Sequence, residues 1–482
     1  MLCRPSLGWY FVACVALQAL FGFLATDRAL RMAGVSRQGS GAETAGWVAV
    51  LLATVPFTFN RFQAHAALSS HWVLLLAVWV SLVSIGAVRR RWLALHVPLI
   101  FFLSGINPYL SVMGLLMSLI LGLAALQFLD WKEFLLRSAL LSAVWVGGSW
   151  IFGFLGAAGL QTGGYGVYSM NLLGPLDSNG LAFFLNFDVP DPTSGQAWEG
   201  FDYLGFGVIL LIFSAGVASV RGWSSHRGGG SRYGAFPLAN GLLVILVFLL
   251  LSLSNRVSLG SHVFEVPLPE FVLAVLGKFR ASGRFFWVAG FMLVLICSVV
   301  LEKSLSSSKR KLVFAVFVVV QFLDIRPIAL FVRESMQTAK RYPPLALGSG
   351  AISMIHVHPP WQCDPWKTPV GVRNFESIGY AAVLHQVPTN NFYAARNPTE
   401  QLAYHCNTDA RLKVLDKAGV YVLNDDTYSP RKMHFEKYHW CQKEQLNMNS
   451  TRQQQLLSGT PVDQMFWICR PKMVSAGVAA IP

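Results

Sequence analysis

Ten apolar runs punctuate the first two thirds of the chain, at 7–25, 47–59, 66–88, 92–104, 109–129, 134–160, 203–220, 237–254, 285–301 and 312–323. The longer ones reach the roughly 20 residues that an α-helix needs to cross a bilayer core of about 30 Å. The shorter ones read as half-spans or as spans with ill-defined ends. No repeat of fixed period is visible. Basic residues gather in alternate connections. Arg28, Arg31 and Arg37 follow the first run, Arg89, Arg90 and Arg91 the third, and Lys132 and Arg137 the fifth. Arg221, Arg227 and Arg232 follow the seventh, and Lys303, Lys309, Arg310 and Lys311 the ninth. If all ten runs cross, these connections share one side, which the charge rule makes cytoplasmic. The connections 161–202 and 255–284, and everything after Leu323, then lie outside. Met1 also falls outside, with only "MLCRPS" before the first run and no secretory signal. The expectation is that an earlier span precedes this sequence.

After the last run the pattern changes. Residues 333–482 are polar, carry two Pro-Pro pairs, and predict a small extracytoplasmic α/β domain after a transmembrane domain at 1–332. "NTDARLKVLDKAG" predicts a helix capped by Asn407 or Thr408 and ended by Gly419, and "VYVLNDD" a buried strand. Four of the seven cysteines, Cys363, Cys406, Cys441 and Cys469, lie in this part. In an oxidising compartment they imply two disulfides. Three pairings are open, with 363–406 and 441–469 favoured. Cys3, Cys14 and Cys297, in or near the apolar runs, read as packing residues.

Composition agrees: 54% hydrophobic and 13% charged residues, where a soluble chain has about a quarter charged. The net charge of +14 falls in short loops, and no interleaved basic and aromatic groove points to nucleic acid. The partner implied is the lipid bilayer. No acidic or basic residue lies deep within a run, which disfavours an ion-coupled transporter.

The candidate chemistry collects on the outer face. In "GKFRASGRFFW", Arg280 and Arg284 stand four residues apart on the side where positive charge is disfavoured. With Asn255 and Arg256 of "LSNRVSLG" they suit bidentate contact to a lipid-borne phosphate. The plainer alternative is that Arg284 snorkels to the interface or pairs with Glu265 or Glu270. The connection 161–202 is far longer than ordinary loops and rich in aromatic residues, and ends in "GQAWEGFDYLG". Glu199 and Asp202 are its best-placed carboxylates for catalysis, with Asp177 and His71 weaker candidates. A structural loop with solvated carboxylates is the equally weighted alternative. His65, Asn107, Tyr109, Asp324 and Arg326 mark the same face, each best read as capping or packing. His356 and His358 in "HVH" lack a third ligand at metal-site spacing.

Seven short pieces in order, "AALSSHWVLLLA", "NPYLSVM", "GGYGVYSMNLL", "GQAWEGFDYLG", "LSNRVSLG", "FRASGRFFW" and "QFLDIRP", resemble a family of bacterial multi-pass membrane proteins of unassigned function. The architecture resembles the GT-C polytopic glycosyltransferases. The resemblance implies a bacterial inner-membrane protein with its C-terminal domain in the periplasm. It also implies sugar transfer from a polyprenyl-phosphate donor to an envelope glycan or lipid acceptor. A carboxylate would deprotonate the acceptor, arginines would stabilise the departing phosphate, and a divalent metal, Mg or Mn, is the candidate cofactor. GT-C enzymes place an acidic residue in the first outer loop, a region expected to precede this sequence, so no residue here inherits that role. The alternative function is a non-catalytic protein of envelope glycan or lipid assembly or transport.

Overall fold

The computed structural model describes residues 7–35, 41–63, 65–155, 164–223, 232–338, 345–348, 351–363, 374–392, 399–446 and 464–472. The chain divides into two compact units, Met1–Val332 and Arg333–Pro482.

The first unit is helical: α1 (Leu7–Met32), α2 (Ala42–Ala53), α3 (Pro56–Asn60), α4 (Trp72–Ser84), α5 (Arg89–Ile106), α6 (Pro108–Gly122) and α7 (Trp131–Ile151). After the long connection, which holds the single turn α8 (Gln196–Glu199), come α9 (Phe206–Trp223) and α10 (Arg232–Leu253). A hairpin of β1 (Arg256–Leu259) and β2 (His262–Glu265) and the short α11 (Glu270–Leu276) lead into α12 (Phe286–Ser304) and α13 (Ser307–Thr338). Among the described residues, seven helical stretches are long and apolar enough to cross a membrane, and two shorter apolar helices accompany them. Helices are what lipid demands, because a backbone there can satisfy its polar groups only internally. This is a multi-span membrane protein.

Local chemistry sets the helix ends. Asn107 accepts from the Tyr109 amide and Pro108 opens α6, so the turn between α5 and α6 is a capped start. Asp130 caps α7 through the Glu133 amide at 2.6 Å. The helix α12 is the central one, packing on α9, α10 and α2, and Phe286, Trp287 and Phe291 are fully buried in it or at its head.

Two helices run past the apolar pattern. In α1 the Asp27–Arg31 pair lies within the last turns, not in a loop. In α13 the helix continues through Pro327 to Thr338, which puts Asp324 inside it and fully buried. The expectation that the spans hold no acidic residue is therefore corrected. Asp324 is tolerated because its oxygens are used. Tyr203 Oη donates to it at 2.6 Å, the Phe206 amide at 3.0 Å and the Phe184 amide at 2.9 Å. The long connection is thus pinned to α13.

The second unit is a four-stranded sheet in the order β3 (Ile355–His358), β4 (Val420–Leu423), β6 (Gln464–Pro471), β5 (His439–Leu446). Strands β3 and β4 run parallel and the other pairs antiparallel. Every residue of β4 is buried, as a central strand requires. Asn407 caps the next helix as expected, but that helix stops at Leu412 rather than reaching Gly419. Cys363 bonds Cys406 and Cys441 bonds Cys469, the latter across the β5–β6 ladder. Cys14 and Cys297 are free, and Cys3 lies outside the described residues.

Candidate functional site

Among the described residues, a highly charged buried place in the helical unit is built around Glu199. Arg61, in the turn that follows α3, donates Nη1 to Glu199 Oε2 at 2.8 Å and Nη2 to the Trp198 and Glu199 carbonyls at 3.1 and 3.2 Å. Arg284, in the turn that opens α12, donates Nε to Oε2 at 3.0 Å and Nη2 to both carboxylate oxygens at 2.6 Å. His65 Nε2 stands 3.5 Å from Oε1. Arg61, Glu199 and Arg284 are 1, 5 and 7% exposed, so the group is almost wholly out of water. Aromatic faces complete it: Trp287 lies 5.3 Å from the Arg61 guanidinium and Tyr109 lies 4.6 Å from that of Arg284.

The electrostatics follow from this packing. Burial opposes ionisation of Glu199, but the Arg284 and Arg61 charges outweigh it and hold the carboxyl well below its usual range. Burial lowers the His65 imidazole against the pull of Glu199, which keeps it neutral. Two arginines face one ionised glutamate, which leaves one positive charge in excess.

Asp202 sits beside this group in the opposite condition. It is fully buried, and neither carboxyl oxygen has a hydrogen-bond partner. Burial pushes its carboxyl well above the aspartate range, against the Arg61 charge and the Trp287 indole, which stops short of a hydrogen bond. His71 is buried against Trp287, their rings 4.1 Å apart, with Nδ1 2.9 Å from Thr58 Oγ1. Gln18 Nε2 donates to that hydroxyl at 3.1 Å. Asp177 and Asp202 line one small cavity of about 10 Å³, the room of a single water, together with Asn171, Asn179, Asp191 and Gln196. Asp177 accepts the Asn179 and Val189 amides and its carboxyl is pushed up to about 6, chiefly by burial.

The connection reaches the head of α12 backbone to backbone. A Cβ on Gly283 would stand 2.7 Å from Gly200 Cα, and one on Gly200 only 2.4 Å from the Ser169 carbonyl. The Gly283 amide donates to the Tyr168 carbonyl at 2.9 Å, so this contact sets the distance between Glu199 and Arg284.

The structure thus gathers Glu199, Arg284, Asp202 and His71 from the sequence candidates, and Asp177 at the cavity. It places the others apart. Arg256 pairs with Glu265 across the hairpin at 3.1 Å, both partly exposed, and the Asn255 carbonyl accepts the Val266 amide. Arg280 stacks on Tyr168 at 5.3 Å. Arg284 has a carboxylate partner, as the plainer alternative held, but the partner is Glu199 and not Glu265 or Glu270. The residue that sequence reasoning missed is Arg61. It follows the second apolar run, on the outer side, so the charge rule that singled out Arg284 also marks it.

The divalent metal, Mg or Mn, expected from sequence has no donor set. Among the described residues no three His, Cys, Asp or Glu side chains come together as a metal site. Glu199 is occupied by the arginines and Asp177 and Asp191 by backbone amides. His356 faces Asp416 at 3.3 Å, again without a third ligand.

Residues 5–326 match the model of the family described as domain of unknown function DUF6311, and residues 346–444 match the DUF6311 C-terminal domain. The chain belongs to this family. No curated protein and no solved structure matches the DUF6311 chain. The family description carries no activity, so a functional reading rests on the geometry above.

Proposed function

We propose that this DUF6311 protein is a membrane glycosyltransferase of GT-C-like architecture, crossing a bacterial inner membrane about ten times with residues 333–482 in the periplasm. It moves a sugar from a polyprenyl-phosphate carrier to an envelope glycan or lipid acceptor. The observation that carries the reading is the pairing of two differently held carboxyls beside two buried arginines. Such divergence of environment is how enzymes divide acid and base work between like groups. Glu199 orients Arg61 and Arg284, whose excess positive charge favours a phosphate leaving group. Asp202 trades the proton: it gives one to the carrier phosphate oxygen as the sugar–oxygen bond breaks. It recovers one from the acceptor hydroxyl as the new glycosidic bond forms. Arg280, Arg256 and Asn255 extend the donor surface toward the lipid.

The test is turnover of a polyprenyl-phosphate-linked radiolabelled sugar by the purified protein in nanodiscs. Turnover lost in Asp202→Ala, with the variant still folded, is the expected result. Turnover that survives this change removes Asp202 from the chemistry. A second reading, non-catalytic handling of lipid-linked glycans, is favoured by one observation: Arg284 and Arg256 are both engaged by protein carboxylates. Head-group binding without any turnover would establish it.

A further inference from the structure

Glu199 and Asp202 lie three residues apart, yet only Glu199 is supplied with hydrogen-bond donors. An ionised carboxylate out of water needs donors, and without them the neutral form is the stable one. We propose that Asp202 is a proton-binding site, a neutral carboxylic acid at neutral pH whose ionisation is coupled to the binding of a phosphate-bearing anion beside Arg61 and Arg284. This goes beyond the transfer reading, because it requires no sugar chemistry.

The geometry supports it from three directions. First, other buried groups lack partners near the same indole: Trp287 Nε1, Arg61 Nε and His71 Nε2. The rings of His71 and Trp287 are 4.1 Å apart and the Arg61 guanidinium is 5.3 Å from the indole. Of these, the Trp287 indole and the Arg61 guanidinium act on Asp202 and are the donors its ionised form would draw on. The direction of its titration, upward through burial, agrees. Second, Asp202 lines the cavity, which has room for the water or hydroxyl through which a proton leaves. Third, its charge decides that of the whole group. With Asp202 neutral, Arg61, Arg284 and Glu199 carry one net positive charge; with it ionised, they carry none.

The groups that act directly on Asp202 are Arg61, from the turn after α3, and Trp287, from the head of α12; Arg284 and His71 lie one residue further away, on Glu199 and against the Trp287 ring. Glu199 precedes it by three residues at the end of α8, and Asp177 and Asp191 line the same cavity. An arriving anion opposes ionisation of Asp202, and by reciprocity protonation of Asp202 tightens the anion.

Infrared spectroscopy of the full chain in nanodiscs tests both parts. The expected result at neutral pH is a C=O stretch of a protonated carboxyl that vanishes in Asp202→Asn and persists in Asp177→Asn. Carbon-13 aspartate labelling assigns the band to an aspartate in the unaltered chain, and in Asp202→Glu, which keeps a carboxyl at the position, the band should remain but lose its carbon-13 shift, so the assignment can be tested even if Asp202→Asn does not fold. Adding inorganic phosphate to the buffer, or polyprenyl phosphate to the nanodisc, should raise the titration midpoint by about one pH unit, a tenfold linkage. A shift with polyprenyl phosphate alone assigns the anion to a lipid, and a shift with inorganic phosphate assigns it to phosphate as such. Absence of the neutral-pH band, or its persistence in Asp202→Asn, overturns the proton assignment. A midpoint unmoved by either phosphate overturns the coupling. An absent band would also remove Asp202 as the proton donor of the transfer reading, whereas loss of the coupling alone leaves that reading intact; sugar turnover is measured separately.

Discussion

Glu199 and Asp202 share one short stretch of backbone and one buried neighbourhood, yet the fold treats them in opposite ways. Glu199 receives two guanidiniums and stays ionised; Asp202 receives no hydrogen bond and holds its proton. Burial alone is not what tells them apart, since both are nearly inaccessible. The supply of donors does, and it is fixed by which helix heads reach which side of a single turn. The comparison teaches that a buried carboxyl is a structural ion or a proton store according to its neighbours, not its depth.

The largest effect should come from breaking the ionic half. Glu199→Ala leaves two buried arginines without their counter-ion. It should cost about 3–5 kcal/mol, seen as loss of monodisperse protein on thermal challenge in detergent. A result under about 1 kcal/mol would mean that water reaches the arginines. Replacing the whole group, with Arg61→Met, Glu199→Leu and Arg284→Met together, should restore most of that stability, because a buried ion triad is seldom more stable than apolar residues of its size. The same triple variant should lose binding of polyprenyl phosphate, which separates the group's use from its contribution to folding.

The proton-holding half should respond in pH and barely in stability. The folded value of Asp202 lies above the ordinary 3.8, so its stabilising contribution is full below that value and is lost as pH rises through the folded one. Asp202→Asn should therefore leave stability at neutral pH unchanged or higher, and flatten its decline with rising pH. Glu199 runs the other way: its contribution is full above 4.5 and is lost only as pH falls through a folded value well below that. Mild acid should not dissolve the arginine group, as unfolding curves across that range would show. The smallest effect belongs to Arg256→Ala, whose partly exposed pair with Glu265 contributes less than about 1 kcal/mol. If Arg256 contacts lipid, head-group affinity falls while stability does not.

Much of the helical architecture was legible from the apolar runs, and the charge rule led to Arg284 by its position on the wrong side. The same rule pointed equally to Arg61, which went unnoticed because it stands alone between two runs rather than in a cluster. The partner of Arg284 was not legible. Sequence offered Glu265 and Glu270 in the same connection, whereas Glu199 lies 85 residues away and meets Arg284 only through tertiary packing. Asp324 shows the same limit, since the apolar pattern ends where the helix does not. Hydropathy sees a carboxylate as a boundary; it cannot see that a distant loop will bring the tyrosine and amides that allow it inside.

The glycine contact between the long connection and the head of α12 carries a consequence of its own. With Gly200 and Gly283 backbone against backbone, there is no slack to take up. A single methyl group on Gly283 would act as a wedge between the connection and the head of α12, lifting Glu199 from Arg284 while every charge remains in the chain. The connection is therefore fitted like a plug: where it is not seated, Glu199 no longer stands between Arg61 and Arg284.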